Sequence, residues 1–175
     1  MQADSLHGDQ DACQSNPANQ RHAMQAIDRN TRTGLSIINL MESGFFAHFT
    51  DEKKAAVSRH KMFVMFKDGE YLLKKGEDGD CFFIIMKGSV SITDERNKVL
   101  NTLTTGSVVG EVSFLTGQPR TSNIIANGDA IAMKLDHENM DQLEEYIQIE
   151  IKNKLIQVLV DRIRRHELLI ISSSS

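Results

Sequence analysis

Glu111 and Arg120 stand nine residues apart, on either side of a short segment rich in turn-forming residues, 109–122. A guanidinium presents a planar fork that matches a phosphate. A carboxylate accepts hydrogen bonds from hydroxyls. Between them, Gly110 lets the backbone approach a ligand closely. The run 112–115 (Val-Ser-Phe-Leu) suits a single helical turn whose first N–H groups point outward. Gly117 and Pro119 then end that turn. A small ligand carrying one phosphate and one sugar hydroxyl satisfies the cation, the N–H groups and the carboxylate together. The plainer alternative is an ion pair between Glu111 and Arg120 in a fold whose ligand site has decayed.

No second set of reacting groups competes with this one. The sequence has no glycine-rich loop ending in Gly-Lys-Ser/Thr, no nucleophile elbow and no His-Glu-x-x-His. Asp78 and Asp80 flank Gly79 but lack the remaining ligands of a calcium loop. His7, His22, His48, His60, His137 and His166 are scattered without ligand spacing, so no metal site is expected. The reading is of a binding protein, not an enzyme.

The 175 residues are 40% hydrophobic and 25% charged with a net charge of −4, which suits a soluble globular chain of one domain with extensions. The lack of a basic excess argues against nucleic acid or an anionic membrane as partner. No apolar run reaches membrane-spanning length and the N-terminus is polar, so a cytoplasmic location is expected. Cys81 lies in an apolar run and reads as a buried free thiol, while Cys13 lies in a polar tail. No disulfide framework is expected.

The elements that position the charged pair follow from pattern. Residues 1–19 read as a disordered tail. Short helices are predicted over 22–29 and 35–41, followed by an aromatic knot of Phe45, Phe46 and Phe49. A helix over 50–59 starts at Thr50 as N-cap. Strands are predicted over 62–66, 71–73, 81–86, 89–93, 99–103, 123–126 and 130–135, with turn signals between them at Asp68-Gly69, Gly88 and Asn127-Gly128. The fully apolar run 81–86 is best buried on both faces. Short strands at this spacing indicate an antiparallel roll, barrel or sandwich.

From about residue 138 to 171 the pattern is helical. Ile149, Ile156, Ile163 and Ile170 recur every seventh residue, and Ile147, Ile151, Leu155 and Val158 form a second stripe. Such a helix is expected to touch its own roll on one side and a partner chain on the other. Arg162, Arg164 and Arg165 read as cations complementing the C-terminal end of the helix dipole.

Two motifs in order carry a resemblance. The first runs Gly76-Glu77-Asp78-Gly79-Asp80-Cys81-Phe82-Phe83-Ile84-Ile85-Met86-Lys87-Gly88, and the second is the segment 109–122. Over about residues 45–165 the chain resembles a cyclic nucleotide-binding domain, as found in catabolite-activator-type regulators, cyclic-nucleotide-dependent kinases and gated channels. The second motif is similar to the phosphate-binding cassette of that family. The resemblance implies a mainly β fold: a jelly-roll-like β-roll (double-stranded β-helix) of about eight antiparallel strands, with N-terminal helices and a long C-terminal helix. The implied division is 1–33 as tail and possible helix, 34–137 as roll with its N-terminal helices, and 138–175 as lid or dimerisation helix with a frayed end. It departs from the family pattern at Phe114, where a smaller aliphatic is usual, at Ser122, where alanine is usual, and at Leu72-Leu73, where a β-branched start is usual.

What the resemblance implies for function is a receptor. Arg120 would pair with the cyclic phosphate and Glu111 would accept from the ribose 2′-hydroxyl. The backbone of Gly110 and Glu111, the turn opened by Val112 and Ser113, and the stretch Thr121-Ser122 would complete the ligand site. Thr121 bears on base choice, with cyclic AMP favoured over cyclic GMP. Base-capping residues are expected from 144–154. The receptor is expected to stand alone without an output domain, to pair as a homodimer through its C-terminal helix, and to relay ligand binding to an effector protein by rearranging its flanking helices. A ligand-free interaction module on the same scaffold, or a sensor of another small molecule such as a cyclic dinucleotide, are the alternatives.

Overall fold

Thr50 accepts a hydrogen bond from the Lys53 N–H at 3.4 Å and so starts helix α1, Asp51–Ser58, as its sequence position predicts. The computed structural model describes residues 44–59 and 62–173, together with Arg21, Met41 and Glu42. The tail over 1–19, the helix expected over 22–29 and all but the last residue of the one expected over 35–41 lie outside the described residues. Before α1, a 3₁₀ turn, Gly44–Phe46, brings Phe45, Phe46 and Phe49 together, with Phe46 edge to face against both others at 5.1 Å and Phe45 tilted against Phe49 at 6.3 Å.

Six antiparallel strands follow: β1 (Phe63–Phe66), β2 (Tyr71–Leu73), β3 (Cys81–Thr93), β4 (Val99–Thr104), β5 (Val108–Val109) and β6 (Asn123–Asp136). Their order is β1-β6-β3-β4, with β2 paired to β6 and β5 to β3. The short helix α2, Glu111–Thr116, lies between β5 and β6, and α3 (His137–Asp141) and α4 (Glu145–Ser173) close the chain. The architecture is the expected β-roll with flanking helices and a long C-terminal helix.

The strand count differs from the expectation of about eight for a physical reason. Gly88 and Asn127-Gly128 bend strands here without ending them. Segments 81–86 and 89–93 are one continuous strand, and so are 123–126 and 130–135. The β3–β6 register slips between Ile85 and Ser89, which is how the long pair curls. At that slip Gly88 has φ +87°, and a Cβ there would stand 2.6 Å from the Asp129 carbonyl oxygen. The residue at the bend has to be glycine.

Residues 81–86 are buried on both faces, as expected of a wholly apolar strand. Phe82, Ile84 and Met86 join one core cluster with Met133, Leu135 and the aromatic knot. Cys81, Phe83 and Ile85 join a second cluster inside the roll with Leu72, Leu73 and Val109. One expectation is corrected here. Cys81 is fully buried, but its sulfur is disulfide-bonded and is not a free thiol. Apolar surroundings exclude water without excluding a second sulfur, and the chain's other cysteine, Cys13, lies outside the described residues.

The helix predicted over 138–171 is two. Asp136 caps α3 by accepting from the Asn139 N–H at 2.8 Å. Leu143 turns inward into the core between α3 and α4, and its carbonyl accepts from the Gln148 side chain at 2.9 Å. In α4 the stripe Ile147, Ile151 and Leu155 is fully buried against the roll. The other stripe, Ile149, Ile156, Ile163 and Ile170, is 51% to 65% exposed in the single chain. Arg162, Arg164 and Arg165 are not in the last turn, because α4 continues to Ser173; the helix-dipole reading is corrected. Among the described residues no helix is long and apolar enough to cross a membrane.

The bend in β3 generates a stability prediction. Gly88→Ala combines left-handed strain with a backbone clash and should lose about 3 kcal/mol. Gly128→Ala, at φ +77° with open space around it, should lose about 1 kcal/mol from strain alone. Urea melts of the two variants check the ranking; equal losses would refute the close approach.

Candidate ligand-binding site

The turn between β2 and β3, which carries the first sequence motif, is the frame for Arg120. The Gly76 N–H donates to the Arg120 carbonyl at 2.8 Å, and the Arg120 N–H donates to the Glu77 carbonyl at 2.8 Å. Gly79 makes room for the second motif. A Cβ there would stand 2.1 Å from the Cβ of Ser113 on α2. The two motifs, thirty-odd residues apart in sequence, are therefore one local structure.

Gly110 occupies the left-handed region at φ +86° and turns the chain from β5 into α2. A Cβ on it would approach Arg120 Nη1 to 2.8 Å and Leu73 Cδ1 to 2.9 Å. That space is used by the guanidinium: Nη1 donates to the Gly110 carbonyl at 2.9 Å and Nη2 to the Cys81 carbonyl at 2.6 Å. Arg120 is 4% exposed and Glu111 1% exposed. Ser113 donates its hydroxyl to the Pro119 carbonyl at 3.3 Å, tying the start of α2 to the loop that returns to Arg120. Phe114, the larger residue at its position, fits by meeting Phe82 at 4.9 Å and stacking on His137 at 4.4 Å.

All seven expected site residues line one cavity: Gly110, Glu111, Val112, Ser113, Arg120, Thr121 and Ser122. Its space is about 450 Å³, part of it open to solvent. Leu73, Ile92, Leu103, Val109 and Ile124 supply apolar wall. A buried carboxylate and a buried guanidinium thus border one half-open space, with hydroxyls beside them. This arrangement suits a ligand that has an anionic part, a hydroxyl and an apolar or aromatic body.

The ion pair that Glu111 makes is with Arg162 of α4. Arg162 Nη1 donates to Glu111 Oε1, and Nη2 donates to the Val108 carbonyl at 2.6 Å. Sequence reasoning missed this residue. The signal was available: residues 151, 155, 158 and 162 follow helical spacing, so Arg162 continues the inward stripe of α4 as a cation. The expectation that α4 caps the site from 144–154 is corrected. No residue of that stretch lines the cavity, because Ile147 and Ile151 are committed to the core; α4 reaches the cavity at Arg162.

A β-roll that presents a glycine-opened short helix, a returning arginine and a helix closing from outside defines a small-ligand-binding regulatory domain. Residues 63–146 match the family model described as cyclic nucleotide-binding domain, and this part of the chain is similar to that family. Mouse cGMP-dependent protein kinase 2 is 26% identical over 141 residues, 73% of this chain and 18% of the kinase. The cAMP-dependent protein kinase regulatory subunit of Dictyostelium discoideum is 31% identical over 87 residues, 46% of this chain and 27% of that protein. The chain therefore spans a minor part of the length of these relatives. A crystal structure of a cyclic nucleotide-binding domain from Methylobacillus flagellatus shares the fold with a TM-score of 0.63 at 19% identity, covering 88% of this chain and 85% of that one.

Burial raises the pKa of Glu111 above its ordinary value, while the Arg162 cation, its own backbone N–H and Arg120 oppose the rise. The sign follows. With a folded pKa above the unfolded one, the folded state holds the extra proton between them. The stability that this carboxyl contributes is present below the unfolded value and is lost as pH rises through the folded one. Carboxyl ¹³C titration of Glu111 should give a midpoint above 4.5, rising further in Arg162→Met; a midpoint at or below 4.5 in both proteins would contradict the burial argument.

Proposed function

We propose that this chain is a non-enzymatic receptor for a cyclic mononucleotide. The observation that carries the reading is that Glu111 and Arg120, both buried, line one cavity in a segment similar to this family. Arg120 neutralises the cyclic phosphate, and Glu111 accepts from the ribose 2′-hydroxyl. Gly110, Val112, Ser113, Thr121 and Ser122 complete the contact, and the apolar wall takes the base. Cyclic AMP is the favoured ligand and cyclic GMP the second, since the Thr121 hydroxyl beside Arg120 suits either base. Relatives named for cAMP and for cGMP both match. The receptor acts in the cytoplasm, where its division of labour is a roll that binds and helices, 138–175, that report.

The report passes through α4. Ligand binding draws α2 and Arg120 onto the phosphate and biases the seating of α4 over the roll, within the limit set by the ligand's difference in affinity for the two states. An effector protein reads that seating. The exposed isoleucines at a seven-residue spacing support pairing of α4 with a second copy, since an apolar residue repeated every seventh position forms a seam that a second helix can cover.

Calorimetry and thermal shift test the receptor. A ligand at 100 times its Kd should stabilise by about 2.7 kcal/mol, raising Tm by about 5–10 °C. Arg120→Ala should weaken binding tenfold or more, by the loss of charge-assisted hydrogen bonds. A folded protein that responds to no nucleotide would leave the interaction module standing. A response confined to cyclic dinucleotides would name the other ligand.

Pairing has its own test. Ile156→Glu together with Ile163→Glu should convert a dimer to a monomer in sedimentation velocity, with the roll still folded. A wild-type protein that sediments as a monomer, or a double variant that stays dimeric, removes the proposal.

A further inference from the structure

Helix α4 outruns the roll on which it packs. Its fully buried stripe ends at Leu155, and from 163 to 173 every residue is exposed. Leu168, Leu169, Ile170 and Ile171 are 64% to 66% exposed. A helical end like this lacks the tertiary packing from which most protein helices draw their stability. At about 3.6 residues per turn, the face opposite the buried stripe carries in order Glu145, Ile149, Lys152, Ile156, Leu159 with Val160, Ile163, Glu167 and Ile170. The order is nearly a mirror of itself. Counted outward from the midpoint between Leu159 and Val160, Ile156 matches Ile163, Ile149 matches Ile170, and Lys152 matches Glu167. Isoleucine answers isoleucine, and a cation answers an anion. Lys152 and Glu167 are exposed, and among the described residues neither makes an ion pair.

We infer that two copies of α4 pack antiparallel on this face, about a two-fold axis between Leu159 and Val160. The inference rests on the pairing reading and adds to it a direction and the residues that set it. A two-fold interface makes each contact twice, residue i to j and j to i. Lys152 of each copy therefore meets the partner's Glu167, and the isoleucines close between these charged layers. The free end of one α4 then lies along residues 145–156 of the other, the half that its own roll anchors through Ile147, Ile151 and Leu155. Tyr146, 49% exposed, falls on the same flank of the face as Ile171, and antiparallel packing brings the two within a turn of each other. Parallel packing in register does the opposite. It sets Lys152 against the partner's Lys152 and Glu167 against the partner's Glu167, and like charges across a seam select against that pairing. The cation that parallel packing offers to Glu167 is the partner's Arg162, which Glu111 already holds. Parallel packing also leaves the two free ends to cover only each other.

A nitroxide attached at Ser172→Cys reads the direction, with wild type taken through the same labelling as background for the native cysteines. A rise of about 1.5 Å per residue puts the two labels about 38 Å apart in the antiparallel pair and about 10 Å apart in the parallel one. Double electron–electron resonance should return the long distance. Dipolar broadening of the continuous-wave spectrum, the mark of labels in close approach, overturns the inference. Charge reversal is the second measurement. Lys152→Glu alone and Glu167→Lys alone each turn two attractions into two repulsions, and should raise the dimer Kd about tenfold at low salt. Both changes in one chain restore the pairs and should bring Kd back to within about threefold of wild type. In a parallel pair each single change only replaces like facing like, so single variants that associate as wild type does overturn the inference too. A wild type that sediments as a monomer refutes the pairing reading and takes this inference with it. A dimer with closely spaced labels refutes the inference alone.

Discussion

Arg120 is a guanidinium inside a protein, and the surrounding residues are arranged around the cost of keeping it there. An unpaired buried cation is unfavourable by several kcal/mol. Here its nitrogens meet the carbonyls of Gly110 and Cys81, and its main chain is pinned on both sides by the turn at 76–77. Each of these requirements falls on a different element. Gly110 has no side chain because the guanidinium fills the space. Gly79 has none because α2, which Gly110 starts, presses against it. The cation thereby dictates the residue types of two loops and the start of a strand.

Glu111 is the counterpart, with a different solution. It is as buried as Arg120, yet its partner comes from outside the roll, on a helix that the chain reaches fifty residues later. Burial favours the protonated acid and the two arginines favour the anion. The balance depends on Arg162 staying in place. A site whose cation is held by backbone and whose anion is held by a side chain on a separable helix has one rigid half and one conditional half. Ligand binding that engages both halves necessarily couples them.

The charged pair, the glycines around it and the two-sided burial of 81–86 were legible because each rests on local chemistry. Thr50 as a cap and the outline of the roll were legible for the same reason. What escaped was long-range. Gly88 and Asn127-Gly128 look like strand ends, since a turn signal and a bend within a curled strand use the same residue types; only the pairing of β3 with β6 along their full length distinguishes them. Arg162 was read with Arg164 and Arg165 as one cluster of like charge, although it alone continues the inward stripe of Ile151, Leu155 and Val158. The disulfide at Cys81 was hidden because a buried cysteine and a bonded one share the same apolar surroundings.

Arg162 and Ile163 are consecutive on α4 and face different ways, one lining the cavity and one exposed to solvent. Where the isoleucine stripe is a seam between copies, a single helical turn belongs at once to the pocket and to the assembly. Free energy exchanged between two such sites is reciprocal. The concentration of the chain would then bear on the affinity of the pocket, in the direction set by the sign of that coupling.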